Sequence, residues 1–369
     1  MTEPESTRLS SLRQLGSDLG LDLLVLSEPA WIRWATGCRV PADALALLLV
    51  DGTAARLLVP ESSRPSSVEP GTDVSTYPTY SPHRWTDPVA TATAALRRVL
   101  GDWEPAGHIG IQAHHLPMVL GEVFRTVRWY DIDPALSRLR APKDEAELAG
   151  IRRSVAIVER ALAAAKSAIR PGARELDVLH LIEDVLVAEA GDDHLLAYNL
   201  GSGPRSAEPD PRATTRQLER GDLVLIDLYP TIGGYVADLT RTFVVGDPAG
   251  DQQTRYEALV DALAAGAAAL EPGVTAATVA GRVLDELRSA LPRASAVPHH
   301  LGHGIGIFAW EEPWIGLESD TPILAGSVVA LEVGYYEPGW GGLRVESNYL
   351  VTKEGAVRLD AGPPSSPTI

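Results

Sequence analysis

The sequence predicts an α/β chain of two domains, the second built from two related halves. Three observations point there. The 369 residues exceed what one ordinary hydrophobic core organises and suit two. The first 140 residues alternate apolar strand-like runs with a helix, an α/β pattern. Beyond them, a pair of helices interrupted by Pro-Gly occurs twice, about a hundred residues apart.

In the N-terminal part, 21–27 (LDLLVLS), 44–50 (ALALLLV) and 55–60 (ARLLVP) are short apolar runs and read as strands. Segment 91–103 (TATAALRRVLGDW) reads as a helix, followed by the short strand 108–111 (HIGI). Segment 138–147 (RLRAPKDEAE) holds a proline and a charge cluster and is the expected linker, which places the domains at 1–140 and 141–369.

A long helix then begins. Leu148, Ile151, Val155, Val158 and Leu162 fall three and four apart, on one face. Glu145 and Glu147 lie in its first turn, where the helix dipole favours negative charge. Arg170-Pro171-Gly172 stops it, and a second helix runs through 176–190. The unit recurs as helix 256–270, the stop Glu271-Pro272-Gly273 and helix 278–290. Strand-like sequence follows each pair.

Composition excludes several functions. Apolar residues make up 45% and charged residues 22%, a globular balance. A net charge of -17 repels a phosphate backbone, so nucleic acid is not an expected partner. The lone Cys38 forms no internal disulfide. The opening residues lack the apolar core of a signal peptide, and no run approaches the ~20 apolar residues that span a bilayer. The expectation is a cytoplasmic protein without membrane association.

The chemistry concentrates after residue 220. Segment 221–246 reads as two strands joined by a turn at Gly233-Gly234, with Asp227 ending one and Asp238 opening the other. Converging carboxylates repel, and a shared proton or a metal relieves that. In 297–308, Gly302, Gly304 and Gly306 strip side chains from around His303, close to His299 and His300. Segments 327–339 and 341–352 are apolar strand-like runs, each interrupted by a glutamate, Glu332 and Glu346. A buried carboxylate costs several kcal/mol unless it is paired or metal-bound. One histidine with four carboxylates is an oxygen-rich set for Mn, Fe, Co or Zn, and its charge suits two divalent cations.

Taken in order, Asp227, ten residues, Asp238, then Gly-His-Gly at His303, then Glu332, thirteen residues, Glu346 resembles the methionine aminopeptidase, prolidase and creatinase family. GDLVLID, GYVADLTRTF, LGHGIG and RVESN are similar to its phrases, as are 19–37 and 141–154, so the resemblance covers almost the whole chain. It implies a creatinase-like N-terminal α/β domain followed by a pita-bread catalytic domain of two related halves. It also implies a dinuclear metal centre, usually a homodimer, and a metal-activated water that attacks an amide carbonyl of a short peptide. The resemblance makes Asp227, Asp238, His303, Glu332 and Glu346 the metal ligands, with Glu332 also taking a proton. It makes His299 a pocket histidine, Tyr336 a pocket tyrosine and Arg344 an arginine beside the metal carboxylates.

The chain departs from the family at two pocket positions. Peptidase members carry a histidine seven residues after His303, where this chain has Trp310. Indole can donate a hydrogen bond but cannot accept a proton. They carry another histidine seventeen residues before Asp227, where this chain has Asp210 between Pro209 and Pro211. Asp210 is a candidate general base or metal contact, or else a turn residue. Val333 and Ser347 are further departures, replacing a proline and an acidic residue. Two enzymatic readings follow. One is an Xaa-Pro type dipeptidase or aminopeptidase. The other is a repurposed metalloenzyme acting on a small non-peptide molecule by C–N hydrolysis, elimination or oxidation. A non-enzymatic binding module is the third reading, opposed by the intact ligand set.

Overall fold

The computed structural model describes residues 7–41, 44–80, 82–83, 85–101, 107–115, 117, 119–124, 127–291 and 297–369. The chain divides into two compact units, Met1–Leu139 and Arg140–Ile369.

The first unit holds helices α1 (Thr7–Asp18) and α2 (Pro29–Thr36), α3 (Pro88–Leu100), the short α4 (Val119–Val123) and α5 (Asp133–Arg140). Its strands are β1 (Leu23–Leu26), β2 (Leu47–Val50), β3 (Ala55–Pro60), β4 (Thr72–Tyr77), β5 (His108–Ile111) and β6 (Arg128–Asp131). They form one mixed sheet in the order β4-β3-β2-β1-β5-β6. Helix α3 starts earlier than its apolar pattern, because the Asp87 side chain accepts from Val89 N and Ala90 N and Pro88 suits a first turn. Residues 102 and 103 of the expected helix lie outside the described residues. The expected linker 138–147 is mostly helical: α5 runs through Arg140, and the next helix begins at Glu145.

The second unit opens with α6 (Glu145–Ala168) and α7 (Glu175–Ala190), followed by β7 (His194–Leu195), β8 (Tyr198–Ser202), β9 (Leu223–Leu228), β10 (Thr231–Ile232), β11 (Tyr235–Val236) and β12 (Leu239–Val244). Then come α8 (Gly250–Ala268), α9 (Ala276–Ala290), β13 (Gly302–Gly304), β14 (Glu311–Trp314), β15 (Val328–Glu337), β16 (Gly341–Thr352) and β17 (Gly355–Arg358). A capping box starts α6: Asp144 Oδ1 accepts from Glu147 N at 2.8 Å, and Glu147 Oε2 from Asp144 N at 3.1 Å. The apolar face read from the sequence is buried, and Ile151, Val155 and Val158 pack with Val224, Ile226 and Phe243 of the sheet. Each such side chain contributes about 1.5–3 kcal/mol on burial.

The stretch expected as one hairpin is not one. β9 pairs antiparallel with β12, but the chain between them leaves to form β10 and β11, which join β7 in a separate sheet. Gly233-Gly234 turns that side excursion, both at positive φ. Asp238 therefore sits just ahead of β12, and Asp227 pairs in register with Thr240 and Asn199.

The two halves repeat at the level of single hydrogen bonds. Gly172 N donates to Leu218 O and Leu218 N to Ala173 O; likewise Gly273 N donates to Ile323 O and Ile323 N to Val274 O. Glu175 N and Leu176 N donate to Arg216 O and Thr214 O, as Ala276 N and Ala277 N donate to Thr321 O and Ser319 O. Gly221 N to Val245 O matches Gly326 N to Val351 O, and Val245 N to Asp222 O matches Val351 N to Ser327 O. On this frame Asp227 in β9 and Glu332 in β15 hold equivalent positions.

Candidate metal centre

β9, β15, β16 and the residue just ahead of β12 carry the acidic groups toward one cavity of about 320 Å³. In β16 Glu346 lies in register with Glu332 of β15, so alternation puts both on one face. β12 runs beside β16, with Thr242 Oγ1 donating to Arg344 O and accepting from Arg344 N. That contact sets Asp227 and Asp238 next to the two glutamates. The glycines around His303 are required by close approach: a side chain at Gly302 would strike the Ala330 backbone, and one at Gly304 the Glu312 backbone.

The cavity wall includes Asp227, Asp238, His303, Glu332, Glu346, His299, Tyr336, Arg344, Trp310 and Asp210. The proposed metal-ligand, catalytic and substrate-binding residues thus share one pocket, whereas Val333 and Ser347 do not line it. Donor atoms within 4.8 Å of one another form two groups, Asp238 with His303 and Glu346, and His300 with His303 and Glu332. Asp227 is in neither. Its Oδ2 accepts from Arg344 Nη2 at 2.8 Å, while its buried Oδ1 has no hydrogen-bond partner among the described residues. Asp210 lies on the outer side, exposed, and outside both donor groups.

Local hydrogen bonds fix the histidines. His303 Nδ1 donates to Gly304 O at 3.1 Å, which leaves Nε2 as the free lone pair, 3.6 Å from Asp238 Oδ2. Burial holds the His303 imidazolium down, to about 4. His299 Nδ1 donates to His300 O at 2.6 Å, and its Nε2 accepts from the Tyr336 hydroxyl at 3.0 Å; burial lowers its pKa as well. The His303 ring is neutral at pH 7.

The carboxylates are crowded. Burial, followed by the charges of Glu346 and Asp227, pushes Asp238 well above the usual range. Burial and the charges of Glu332 and Asp227 do the same to Glu346. For Glu332 burial also acts upward, but His300, His299 and Arg344 outweigh it and hold the group at about 2. Among the described residues that line the pocket, Arg344 is the one buried cation, so ionising all four buried acids leaves an excess of negative charge that raises Asp238 and Glu346. The orphaned Asp227 Oδ1, the free His303 Nε2 and this excess of negative charge fit divalent cations.

Several contributors were not legible as such. Thr240 Oγ1 donates to Glu346 Oε2 at 2.8 Å, and Asn348 Nδ2 donates to Asp238 O at 2.6 Å. Asn199 Oδ1 accepts from Arg344 Nη2 at 3.4 Å. His300 Nδ1 is 3.0 Å from Glu332 Oε1, although sequence reasoning gave it no role beyond its place in a histidine cluster. Tyr229 lines the mouth beside Trp310, ring centroids 5.9 Å apart.

Comparison with known proteins agrees with this geometry. Residues 149–353 match metallopeptidase family M24, and residues 8–141 match the creatinase/prolidase N-terminal domain. The probable dipeptidase PepE of Mycobacterium tuberculosis is 35% identical over 75% of this chain and 69% of its own. The Xaa-Pro dipeptidase of Pyrococcus furiosus is 28% identical over 95% of this chain and 97% of its own. The prolidase structure from Pyrococcus horikoshii superposes with a TM-score of 0.84 at 25% identity, covering 97% of this chain and 99% of that one. With its two matched regions and its buried carboxylate-histidine pocket, the chain belongs to metallopeptidase family M24 and is a metal-dependent hydrolase.

Proposed function

We propose that the protein is an Xaa-Pro type dipeptidase or aminopeptidase whose chemistry resides in the second of two domains. The observation that carries this is the convergence of four buried carboxylates and a neutral histidine in one pocket, in a chain whose relatives are named as dipeptidases. Those names favour amide hydrolysis over the repurposed reaction that Trp310 and Asp210 raised.

Asp227, Asp238, His303, Glu332 and Glu346 would hold two divalent cations per chain, drawn from Mn, Co, Fe or Zn. When bound, such ions supply Lewis acidity, acidifying a water and polarising the amide carbonyl. Glu332, held ionised, accepts a proton from the attacking water, and that proton leaves on the departing nitrogen. His299 and Tyr336, joined by their hydrogen bond, line the place where the substrate carbonyl sits. Arg344 fixes Asp227 and balances charge. A homodimer is carried over from the resemblance. Among the described residues, no helix is long and apolar enough to cross a membrane.

The test is turnover of a panel of Xaa-Pro dipeptides after loading with each metal. Cleavage that disappears in Glu332→Gln is expected. Metal bound with no dipeptide cleaved would overturn the peptidase reading.

A further inference from the structure

Trp310 is 55% exposed, and it is paired with a second aromatic ring rather than standing alone. It stands at the mouth of the metal pocket beside Tyr229, the two rings tilted 42° apart. Asp210 lines the same mouth and makes no hydrogen bond or ion pair among the described residues. Arg344 is paired with Asp227 at 2.8 Å, while Arg212 keeps its charge, bonded to the neutral Tyr198 carbonyl with its guanidinium over the Tyr198 ring and close enough to act on Tyr229, and it makes no ion pair with Asp210 among the described residues.

All three groups are held in place. Glu311, next to Trp310, accepts from Arg140, Lys143, Ile307 N and Phe308 N, which pins the loop. Asp210 is set between two prolines, and Pro211 O accepts from Leu200 N at 2.7 Å. Tyr229 follows directly on β9. A pair of aromatic faces with an unpaired carboxylate attracts a cation by ring quadrupole and by charge together.

We infer that Tyr229, Trp310 and Asp210 form a cation-accepting rim that selects substrates whose N-terminal residue is lysine or arginine. The inference rests on the Xaa-Pro reading, in which proline is neutral and the cation belongs to the residue before it. Norleucine is lysine with a methyl group in place of the ammonium, so it isolates the charge.

The metal-loaded, full-length protein is assayed with Lys-Pro and norleucine-Pro. A preference for Lys-Pro of about tenfold in kcat/KM, carried mainly by KM, is expected. The Lys-Pro to norleucine-Pro ratio falls to about threefold or less in Asp210→Asn and in Trp310→Leu. Equal rates on the two peptides, or a ratio that neither variant changes, overturn the rim. A binding readout separates this from the peptidase reading: choline against its uncharged isostere 3,3-dimethylbutan-1-ol, followed as the fluorescence difference between native protein and Trp310→Leu. Choline alone should quench that difference, and less so in Asp210→Asn; equal responses to both probes overturn the rim. Selective quenching without cleavage of any dipeptide keeps the rim and overturns the peptidase. Equal cleavage of both peptides does the reverse.

Discussion

Where the first half of the second unit sets Asp227 opposite Thr240, the second half sets Glu332 opposite Glu346. Two residues before Thr240 stands Asp238; two before Glu346 stands Arg344. The same backbone hydrogen bonds tie the turns at Gly172 and Gly273 and the strand ends in both halves, although the β10–β11 excursion belongs to the first half alone. The side chains on this frame differ. One half supplies two acids and a hydroxyl, the other two acids, a histidine and a cation. The hydroxyl of Thr240 then donates across to Glu346, and the cation of Arg344 across to Asp227. The frame positions four strands alike, and the differences between equivalent positions turn a crowd of acids into a site with donors, acceptors and one fixed charge.

The largest expected effect comes from removing a donor. Asp227→Ala or Glu346→Ala should abolish metal binding, read by calorimetric titration, and lower kcat by at least on the order of 10³-fold. Full metal occupancy in either variant would break the ligand assignment. Next is a place where the halves diverge away from the site. Buried Glu175 accepts from Ser202 N and Oγ, Thr214 N and Oγ1, and Arg205 Nη1, whereas the second half has Ala276 there. Glu175→Ala strands those donors and should cost about 3 kcal/mol or more in urea unfolding.

Three of the five proposed ligands stand out in the sequence because they contradict their surroundings. Glu332 and Glu346 interrupt apolar strand runs, and His303 sits among glycines that only a close backbone approach requires. Thr240 and Asn199 do not, since threonine and asparagine in a strand look ordinary; their roles arise from pairing with residues 106 and 145 positions away. The Gly233-Gly234 turn was real, yet the local signal could not show that β10 and β11 leave the sheet to join β7. Strands β4 and β6 escaped notice because TDVSTY and RWYD lie largely half-buried or exposed and lack an apolar run. The repeated helix pairs were visible through their Pro-Gly stops, which the structure shows as matched turns.

Glu311 makes stability depend on pH. Burial acts to raise its pKa, but Lys143 and Arg140 outweigh burial and hold it at about 2, below its ordinary 4.5. A depressed folded-state pKa means the contribution is complete above about pH 4.5 and disappears as pH falls toward 2. Native protein should lose about 3 kcal/mol of stability across that window through this group, and Glu311→Gln should show a correspondingly flatter profile. An unchanged slope would contradict the ion-pair account.

Smaller is Thr240→Val, which keeps shape and removes the hydrogen bond to Glu346. Metal affinity should drop about 10–100-fold with the fold retained. Gly172 and Gly273 adopt φ of 84° and 87° with open space around a would-be side chain. Alanine at either costs only backbone strain, about 1–2 kcal/mol, and the two costs should agree. Unequal values would show that the halves are not equivalent in energy.

On this reading both halves together build one cation site. Elemental analysis of the purified chain after metal loading and desalting, beside Asp227→Ala and Glu346→Ala, tests it most directly. About two divalent ions per native chain, and loss of both when either half's carboxylate is removed, is the predicted result. Native protein without bound metal, or variants that keep the full complement, would contradict it.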